Sequence, residues 1–181
     1  MERNVTFIAL LAAFTAVLGL IPKIELIPGV PLSPQLMGIM LCGLILGAKR
    51  GTMAVALFLV LAAVGLPILT GARGGTGPFF GATGGFLFGY LAAAYVTGLI
   101  FERWKGNLLV GAVIAALIGS VVVLYPIGIV WLAVYLGKPI LVMTQSMLVF
   151  VPFDIAKAVV AGLITIQILK ARPAAILSRQ A

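Results

Sequence analysis

Two side chains that can ionise, Asp154 and Lys157, lie inside a long apolar segment near the C-terminus, in the sequence VPFDIAK (residues 151–157). Residues three apart share one face of a helix, so this carboxylate and this ammonium can pair, which lowers the free-energy cost of placing each group in a membrane. Together they offer hydrogen-bond acceptors and donors that suit a polar ring bearing N–H and C=O groups. A structural ion pair, or a lysine that extends toward the membrane surface, is the alternative.

A third charged residue, Arg73, lies in a glycine-rich stretch between two hydrophobic runs, residues 70–90 (TGARGGTGPFFGATGGFLFGY). Glycine permits close approach of another surface, so Gly74 and Gly75 are candidates for backbone contact with a ligand. Irregular backbone at membrane depth survives only beside protein or a water-filled cavity, and such segments form substrate sites in transporters. Arg73 would supply a positive charge suited to a carboxylate. A flexible loop whose later glycines pack between helices is the other interpretation.

The composition of the chain is that of an integral membrane protein. Of its 181 residues, 63% are hydrophobic and 9% are charged, and the mean hydropathy is +1.28. Such a chain has room for about five or six spanning helices and none for a soluble domain, so we expect residues 1–181 to form a single transmembrane domain. The net charge of +8 comes from basic residues dispersed between apolar runs. It indicates membrane topology, and we expect no nucleic acid partner.

The residues that most enzymes and metal sites require are scarce. Histidine is absent, and Cys42 is the single cysteine and lies in an apolar segment. We therefore expect neither an enzyme nor a metal site nor a cofactor. The chain has no phosphate-binding loop of the form G-x-x-x-x-G-K-[ST], so we expect the energy for any transport to come from partners or from a gradient.

Six apolar segments position these residues and predict an all-α protein with six transmembrane helices. They are residues 4–21, 35–47, 52–69, 84–101, 108–130 and 147–169. Residues 49–51 (KRG) predict a tight basic turn, and residues 140–146 a short interfacial helix. Residues 22–34 (PKIELIPGVPLSP) contain too many prolines for a helix and predict an extended loop. This loop would be either a lid over a pocket or a segment lying in the lipid headgroup region.

The basic residues orient the chain in the membrane. Six helices place both termini on one side, together with most of the basic residues: Arg3, Lys49, Arg50, Arg103, Lys105, Lys170, Arg172 and Arg179. The other side has Lys23, Arg73 and Lys138. Because cytoplasmic loops are enriched in Lys and Arg, both termini are predicted to be cytoplasmic. The proline-rich loop, the glycine-rich loop and residues 137–146 then face outward and would surround a pocket, with Asp154 roughly 10 Å below the outer surface.

Small residues recur four apart in the first apolar segment, where Ala9 pairs with Ala13 and Ala12 with Ala16. That spacing places each pair on one helix face, where another helix can approach closely. The face would contact either a partner protein or the other helices of this chain.

The proline-rich loop, the glycine-rich segment from Gly71 to Phe86 and the motif PFDIAK at 152–157 together resemble the BioY family, over nearly the whole chain. BioY proteins are the biotin-binding S components of energy-coupling factor (ECF) transporters. The resemblance implies the S-component fold and an outward biotin pocket in the plasma membrane of a prokaryote. It implies that Asp154 and Lys157 hold the ureido ring and that Arg73 matches the family's glycine-rich arginine. Ala82 departs from the proline that is common in the family.

The resemblance also implies partners for the chain. In S components the Ala-x-x-x-Ala face, here Ala9 and Ala13, docks on a transmembrane coupling subunit. That subunit and two ATPases turn the S component in the membrane to release biotin. Tyr90 and Gln35 are further candidate contacts for the ligand. The alternatives are an S component for a different vitamin and a structural membrane assembly subunit. An intramembrane enzyme is a further alternative, but the chain shows no evident acid–base pair for catalysis.

Overall fold

The computed structural model describes residues 2–21, 24–27 and 30–179, and the chain folds into a bundle of helices. The α-helices are α1 (Glu2–Gly19), α2 (Gln35–Leu46), α3 (Ala48–Ala63), α4 (Gly77–Phe80), α5 (Gly84–Arg103), α6 (Leu108–Leu117), α7 (Tyr125–Leu136), α8 (Ile140–Met147) and α9 (Val151–Ala171). Within the described residues, four continuous helical segments are long and apolar enough to cross a membrane: 2–19, 84–103, 108–136 and 140–171. Helix α2 is a shorter apolar helix.

The predicted basic turn at residues 49–51 is wrong, because these residues lie inside α3. The corner between α2 and α3 is Gly47 alone, whose φ of 84° is a conformation that favours glycine. Glu102 completes the corner, since its Oε1 accepts a hydrogen bond of 2.9 Å from the N–H of Ala48 at the start of α3. Helix α3 also ends at Ala63, before the predicted end at residue 69. An irregular segment containing Pro67 follows it.

Helix α5 lies at the centre of the bundle, where small residues allow close helix packing. A Cβ on Gly43 of α2 would lie 2.7 Å from the carbonyl oxygen of Ala94 in α5, and one on Gly98 would lie 2.3 Å from the backbone nitrogen of Ala48. At the start of α5, Gly84 and Gly85 lie against the Trp131 side chain of α7, so that a Cβ on either glycine would clash with it. The later glycines of the glycine-rich stretch therefore pack between helices, as small residues do in membrane proteins.

The fifth predicted segment is a single helix that runs past its predicted end. Helix α6 begins after Asn107, whose Oδ1 accepts hydrogen bonds from the N–H groups of Leu109 and Val110. It continues through a π-helical segment, Ile118–Leu124, into α7, which ends at Leu136. The wider π turn occurs immediately before Tyr125 and Pro126, and such π segments are frequent at functional sites.

The last two helices are nearly continuous, because a 3₁₀ turn, Leu148–Phe150, joins α8 to α9. The predicted helix at residues 140–146 is present as α8. Pro152 lies in the first turn of α9. A proline costs little there because the missing N–H would have no partner within the helix. The proline thus begins the helix that carries Asp154 and does not interrupt it.

A C-terminal strap, residues 173–179, packs against α2 and α5. It was not predicted from the sequence. It consists of two 3₁₀ turns, Pro173–Ala175 and Leu177–Arg179. Ile176 and Leu177 are buried. The hydroxyl of Ser178 donates a hydrogen bond of 2.5 Å to the carbonyl oxygen of Leu44 at the end of α2.

The proline-rich loop is extended where the structure describes it. Strands β1 (Ile24–Ile27) and β2 (Val30–Leu32) pair antiparallel, with an irregularity between Glu25 and Ile27. Residues 22, 23, 28 and 29, which belong to the same predicted loop, lie outside the described residues. Elsewhere in the described chain, the only strand-like pairing is an isolated bridge between Leu69 and Arg73.

Candidate functional site

A cavity lies between α2, the glycine-rich loop, α5, α7 and the start of α9. It contains about 670 Å³ of space not filled by protein atoms, part of which is open to solvent. The cavity brings together side chains that are far apart in the sequence. The predicted site residues that line it are Gln35, Arg73, Tyr90, Asp154 and Lys157.

Asp154 is held by two partners, one at each carboxylate oxygen. Helix α9 places Lys157 three residues after Asp154, and the Lys157 Nζ lies 2.8 Å from Asp154 Oδ1. The hydroxyl of Tyr125 in α7 donates to Asp154 Oδ2 at 2.5 Å. The aspartate is 2% exposed, so these bonds offset part of the cost of burying its charge. The lysine ammonium has further N–H groups for a ligand acceptor.

Tyr125 lines the cavity and was not predicted from the sequence. It lies between the π segment and Pro126, its side chain is buried, and it lines the same cavity as Asp154. A signal was available, because a phenol hydroxyl in the middle of an apolar membrane segment needs a hydrogen-bond partner. The partner itself could not be read from the sequence, since it lies in a different helix.

Arg73 is presented by a short closed loop. The Leu69 N–H donates to the Arg73 carbonyl at 2.9 Å, and the Arg73 N–H donates to the Leu69 carbonyl at 3.2 Å. Ala72, at the tip, has a positive φ of 54°, which is uncommon for a residue with a Cβ. The side chain is anchored by one hydrogen bond of 3.1 Å from Arg73 Nε to the carbonyl oxygen of Thr70.

Gly74 and Gly75 do not contribute to the cavity wall in the described part of the chain, which differs from the expectation of a backbone contact there. Instead Gly74 packs against the segment that follows α3, and Gly75 forms a hydrogen bond with the last turn of α3. A Cβ on Gly74 would lie 2.3 Å from the carbonyl oxygen of Leu66. The N–H of Gly75 donates to the carbonyl of Ala62 at 2.8 Å, and its φ is 78°. Both glycines are thus explained by the turn that follows Arg73.

Gln35 lines the cavity, but its amide is fully used by the protein. Its Oε1 accepts from the N–H and the hydroxyl of Thr70 at 2.8 Å and 2.7 Å. Its Nε2 donates to the carbonyl oxygens of Thr15 and Ile68 at 3.2 Å and 2.8 Å. An amide group can make four such bonds, so the predicted contact of Gln35 with a ligand has no free polar group to make it.

The rest of the wall is mostly apolar. Tyr90 of α5 lies among these residues, and their side chains suit a hydrophobic ligand body with a few polar groups. The apolar and aromatic members are Leu36, Leu69, Phe86, Leu87, Leu124, Met147 and Phe150.

The small residues of α1 divide between two faces. Ala9 and Ala13 are exposed on the outer surface of the bundle. Ala12 is 2% exposed and Ala16 is partly buried against the core. Only the first pair is therefore accessible to another helix.

Comparison with known proteins identifies relatives that match nearly the whole chain. The sequence model described as "BioY family" matches residues 2–174. The biotin transporter BioY of Rhodobacter capsulatus is 46% identical, and the alignment covers 99% of this chain and 100% of that protein. The corresponding protein of Rhizobium etli is 43% identical, with 90% of each chain covered.

A solved structure has the same fold. It is described as the S-component for biotin from an ECF-type ABC transporter, and it superposes with a TM-score of 0.87 at 36% identity, covering 93% of this chain and 92% of that one. The likeness confirms the predicted all-α membrane fold. From the family match over residues 2–174 and the similarity of the relatives, we conclude that this chain belongs to the BioY family.

Proposed function

We propose that this protein captures biotin in the cavity and acts as the substrate-binding subunit of an ECF-type transporter. The observation that carries the proposal is the content of one cavity: a buried carboxylate paired with a lysine, a separate guanidinium and an apolar wall. Biotin has a ureido ring with N–H and C=O groups, an apolar chain and a terminal carboxylate. Each of these parts has a complementary group in the cavity.

The Asp154–Lys157 pair is the proposed site for the ureido ring. A carboxylate accepts hydrogen bonds from ring N–H groups, and an ammonium donates to the ring carbonyl. Because Tyr125 and Lys157 hold the two carboxylate oxygens, the carboxylate is oriented before the ligand binds. Such preorganisation reduces the entropy that binding must offset.

Arg73 is the proposed partner of the biotin carboxylate. Its side chain lines the cavity, and its Nε is engaged by Thr70. The two terminal amino groups can then meet the two oxygens of a carboxylate, the geometry in which arginine binds best. Between the two polar sites, the apolar wall would cover the alkyl chain and the ring sulfur.

We further propose that the chain crosses the cell membrane six times as one domain, with both termini in the cytoplasm. Helix α2 has 12 residues, roughly 18 Å at about 1.5 Å per residue, which is shorter than a bilayer core. All of its residues except Met37 are buried in the bundle, so it can lie at membrane depth without matching the lipid thickness. The basic residues near the ends of α3, α5 and α9 support the orientation.

The proposed partners are a transmembrane coupling subunit and two ATPases. The exposed pair Ala9 and Ala13 offers a surface for close helix contact. The similarity to an S-component of an ECF-type ABC transporter supports this assembly. The chain has no phosphate-binding loop, so ATP hydrolysis would come from the partners.

Isothermal titration of the detergent-purified protein with biotin tests the capture function, with thiamine and riboflavin as control ligands. We expect one biotin per chain and no heat of binding from the controls. The protein must first be freed of biotin carried through purification, and its fold checked by circular dichroism. A folded, biotin-free protein that does not bind biotin would contradict the proposal.

A further inference from the structure

Gln35 and Arg73 are linked through Thr70. Gln35 Oε1 accepts hydrogen bonds from the backbone N–H and the side-chain hydroxyl of Thr70. The carbonyl oxygen of Thr70 then accepts from Arg73 Nε at 3.1 Å. A continuous chain of hydrogen bonds therefore runs from the start of α2 to the guanidinium.

The chemistry of its neighbours fixes the orientation of the Gln35 amide. The carbonyl groups of Thr15 and Ile68 can only accept, so they must face the amide nitrogen. The backbone N–H of Thr70 can only donate, so it must face the amide oxygen. Gln35 is 1% exposed, and a flipped amide would leave buried groups without partners. The amide is therefore locked in one orientation.

The direction of the hydroxyl bonds follows in the same way. The single proton of the Thr70 hydroxyl goes to Gln35 Oε1, at 2.7 Å. The hydrogen bond between Ser33 and Thr70 must then be donated by the Ser33 hydroxyl. Ser33 Oγ in turn accepts from the backbone N–H of Gln35 at 3.1 Å. Thr70 is thus held at its N–H and its hydroxyl. The N–H of Gly71, which shares a peptide plane with the Thr70 carbonyl, donates to the carbonyl oxygen of Gly19 at 3.3 Å, so the Thr70 carbonyl also has a fixed direction.

That direction determines where Arg73 points. A guanidinium has one N–H on Nε, and in Arg73 it is committed to the Thr70 carbonyl. In the part of the chain that the structure describes, this carbonyl is the only hydrogen-bond acceptor of the Arg73 side chain. The Leu69 and Arg73 backbone bonds hold the loop, but among the described residues Thr70 alone forms a hydrogen bond with the guanidinium.

We propose that Gln35 and Thr70 are positioning residues that aim the Arg73 guanidinium at the carboxylate of the ligand. They thereby set the preference of the site for a charged over a neutral chain end. Neither residue needs to touch the carboxylate. The inference rests on the proposed function, in which the ligand is biotin and Arg73 meets its carboxylate.

The test compares dissociation constants for biotin and for biotin carboxamide, which has the same ring and chain with an uncharged end. The variants are Thr70→Val, which removes the hydroxyl but keeps the size and the backbone groups, and Thr70→Ser, the matched control that keeps the hydroxyl. Gln35→Met removes the amide at similar volume, and Arg73→Ala gives the reference without the guanidinium. Titration calorimetry in detergent measures the dissociation constants of the parent and of each variant for both ligands.

We expect the parent and Thr70→Ser to prefer biotin, and Arg73→Ala to lose that preference. Thr70→Val and Gln35→Met should reduce the preference by about three- to tenfold, the scale of one weakened hydrogen bond to a charged group. When Arg73→Ala is already present, adding Thr70→Val should not change the preference further. This lack of additivity is the sign that Thr70 acts through Arg73.

If Thr70 has only a structural role, Thr70→Val should weaken the binding of both ligands equally and leave the preference for biotin unchanged. That outcome overturns the inference. A parent that binds biotin and its carboxamide equally overturns it as well, while the capture function stands. A folded parent that binds neither ligand removes the capture function and this inference together. If Gln35→Met does not fold, the comparison of Thr70→Val with Thr70→Ser decides alone.

Discussion

The hydroxyl of Tyr125 donates to Asp154 Oδ2, the carboxylate oxygen that Lys157 does not contact. The bond joins α7 to α9 across the cavity wall. It means that the aspartate is held from two helices, and that its direction depends on a residue outside its own motif.

Tyr125→Phe should weaken biotin binding about tenfold, because Asp154 Oδ2 loses a charge-assisted hydrogen bond of about 1.5–3 kcal/mol and the carboxylate is then held only by Lys157. The ring and its packing are retained, so the fold should survive. Titration calorimetry measures the loss. Tyr135→Phe, at a tyrosine that is 54% exposed on the same helix, is the matched control. Equal affinities for the two variants would mean that Tyr125 does not support the site.

Asp154→Asn should weaken biotin binding strongly while the fold stays nearly intact. The neutral amide presents an N–H group where the ureido ring needs an acceptor, yet it keeps the size of the side chain. Binding is measured by calorimetry and folding by thermal unfolding in detergent. If Asp154→Asn binds biotin like the parent, the assignment of the ureido site is wrong.

Lys157→Ala should lower both affinity and stability. Removing the ammonium leaves Asp154, which is 2% exposed, without its ion-pair partner, and breaking a buried pair costs about 3–5 kcal/mol. The double variant Asp154→Asn/Lys157→Ala should regain part of the lost stability, because the unpaired charge is gone. Thermal unfolding of the three variants checks the order. A double variant that is less stable than Lys157→Ala would contradict this account.

Ala9→Trp should preserve biotin binding but block transport by the complete transporter. Ala9 is exposed, so the large side chain fits the isolated protein and obstructs only the proposed partner surface. Ala12→Trp should instead destabilise the protein, since Ala12 is 2% exposed and the core has no room for an indole. Leu163→Trp, at an exposed position on α9, is the control for bulk on the membrane surface.

Biotin uptake by cells that express the chain with its coupling module measures the transport effect, and titration of the purified variants measures binding. Loss of binding in Ala9→Trp would show that this face packs within the chain. Normal uptake would remove Ala9 from the docking surface.

Arg179→Ala should lower the thermal stability and leave biotin affinity unchanged. The Arg179 Nη1 donates to the carbonyl oxygens of Phe101 and Trp104 at 2.7 Å and 2.9 Å, and the guanidinium lies 5.4 Å from the Phe101 ring centroid. A cation is favourable at the C-terminal end of a helix such as α5, and the loss should be about 1–3 kcal/mol.

Arg172→Ala is the matched control, because Arg172 is an exposed arginine just before the same strap. Thermal unfolding of both variants should separate them clearly. If the two melt at the same temperature, the contacts of Arg179 do not stabilise the bundle.

Much of the site could be predicted because membranes make polar residues conspicuous. An ionisable pair such as Asp154 and Lys157 is costly in an apolar segment, so its presence indicates a function or a partner. The same argument applied to Arg73. The role of Gln35 could not be predicted, because a polar residue at a helix start can bind a ligand, cap the helix or form hydrogen bonds with backbone groups of other segments.

The sequence by itself determined the membrane class, most of the helical segments and the paired charges of α9, since these depend on composition and on local spacing along one helix. The family followed from the resemblance of motifs in three parts of the chain. Only the tertiary structure decided which groups meet across helices. It paired Tyr125 with Asp154, used the Gln35 amide within the protein, left Gly74 and Gly75 out of the described cavity wall and exposed Ala9 while burying Ala12. The physical reason is that a hydrogen bond or a packing contact between helices depends on how each helix is rotated and how deep it lies in the membrane. Neither can be predicted from a local sequence pattern.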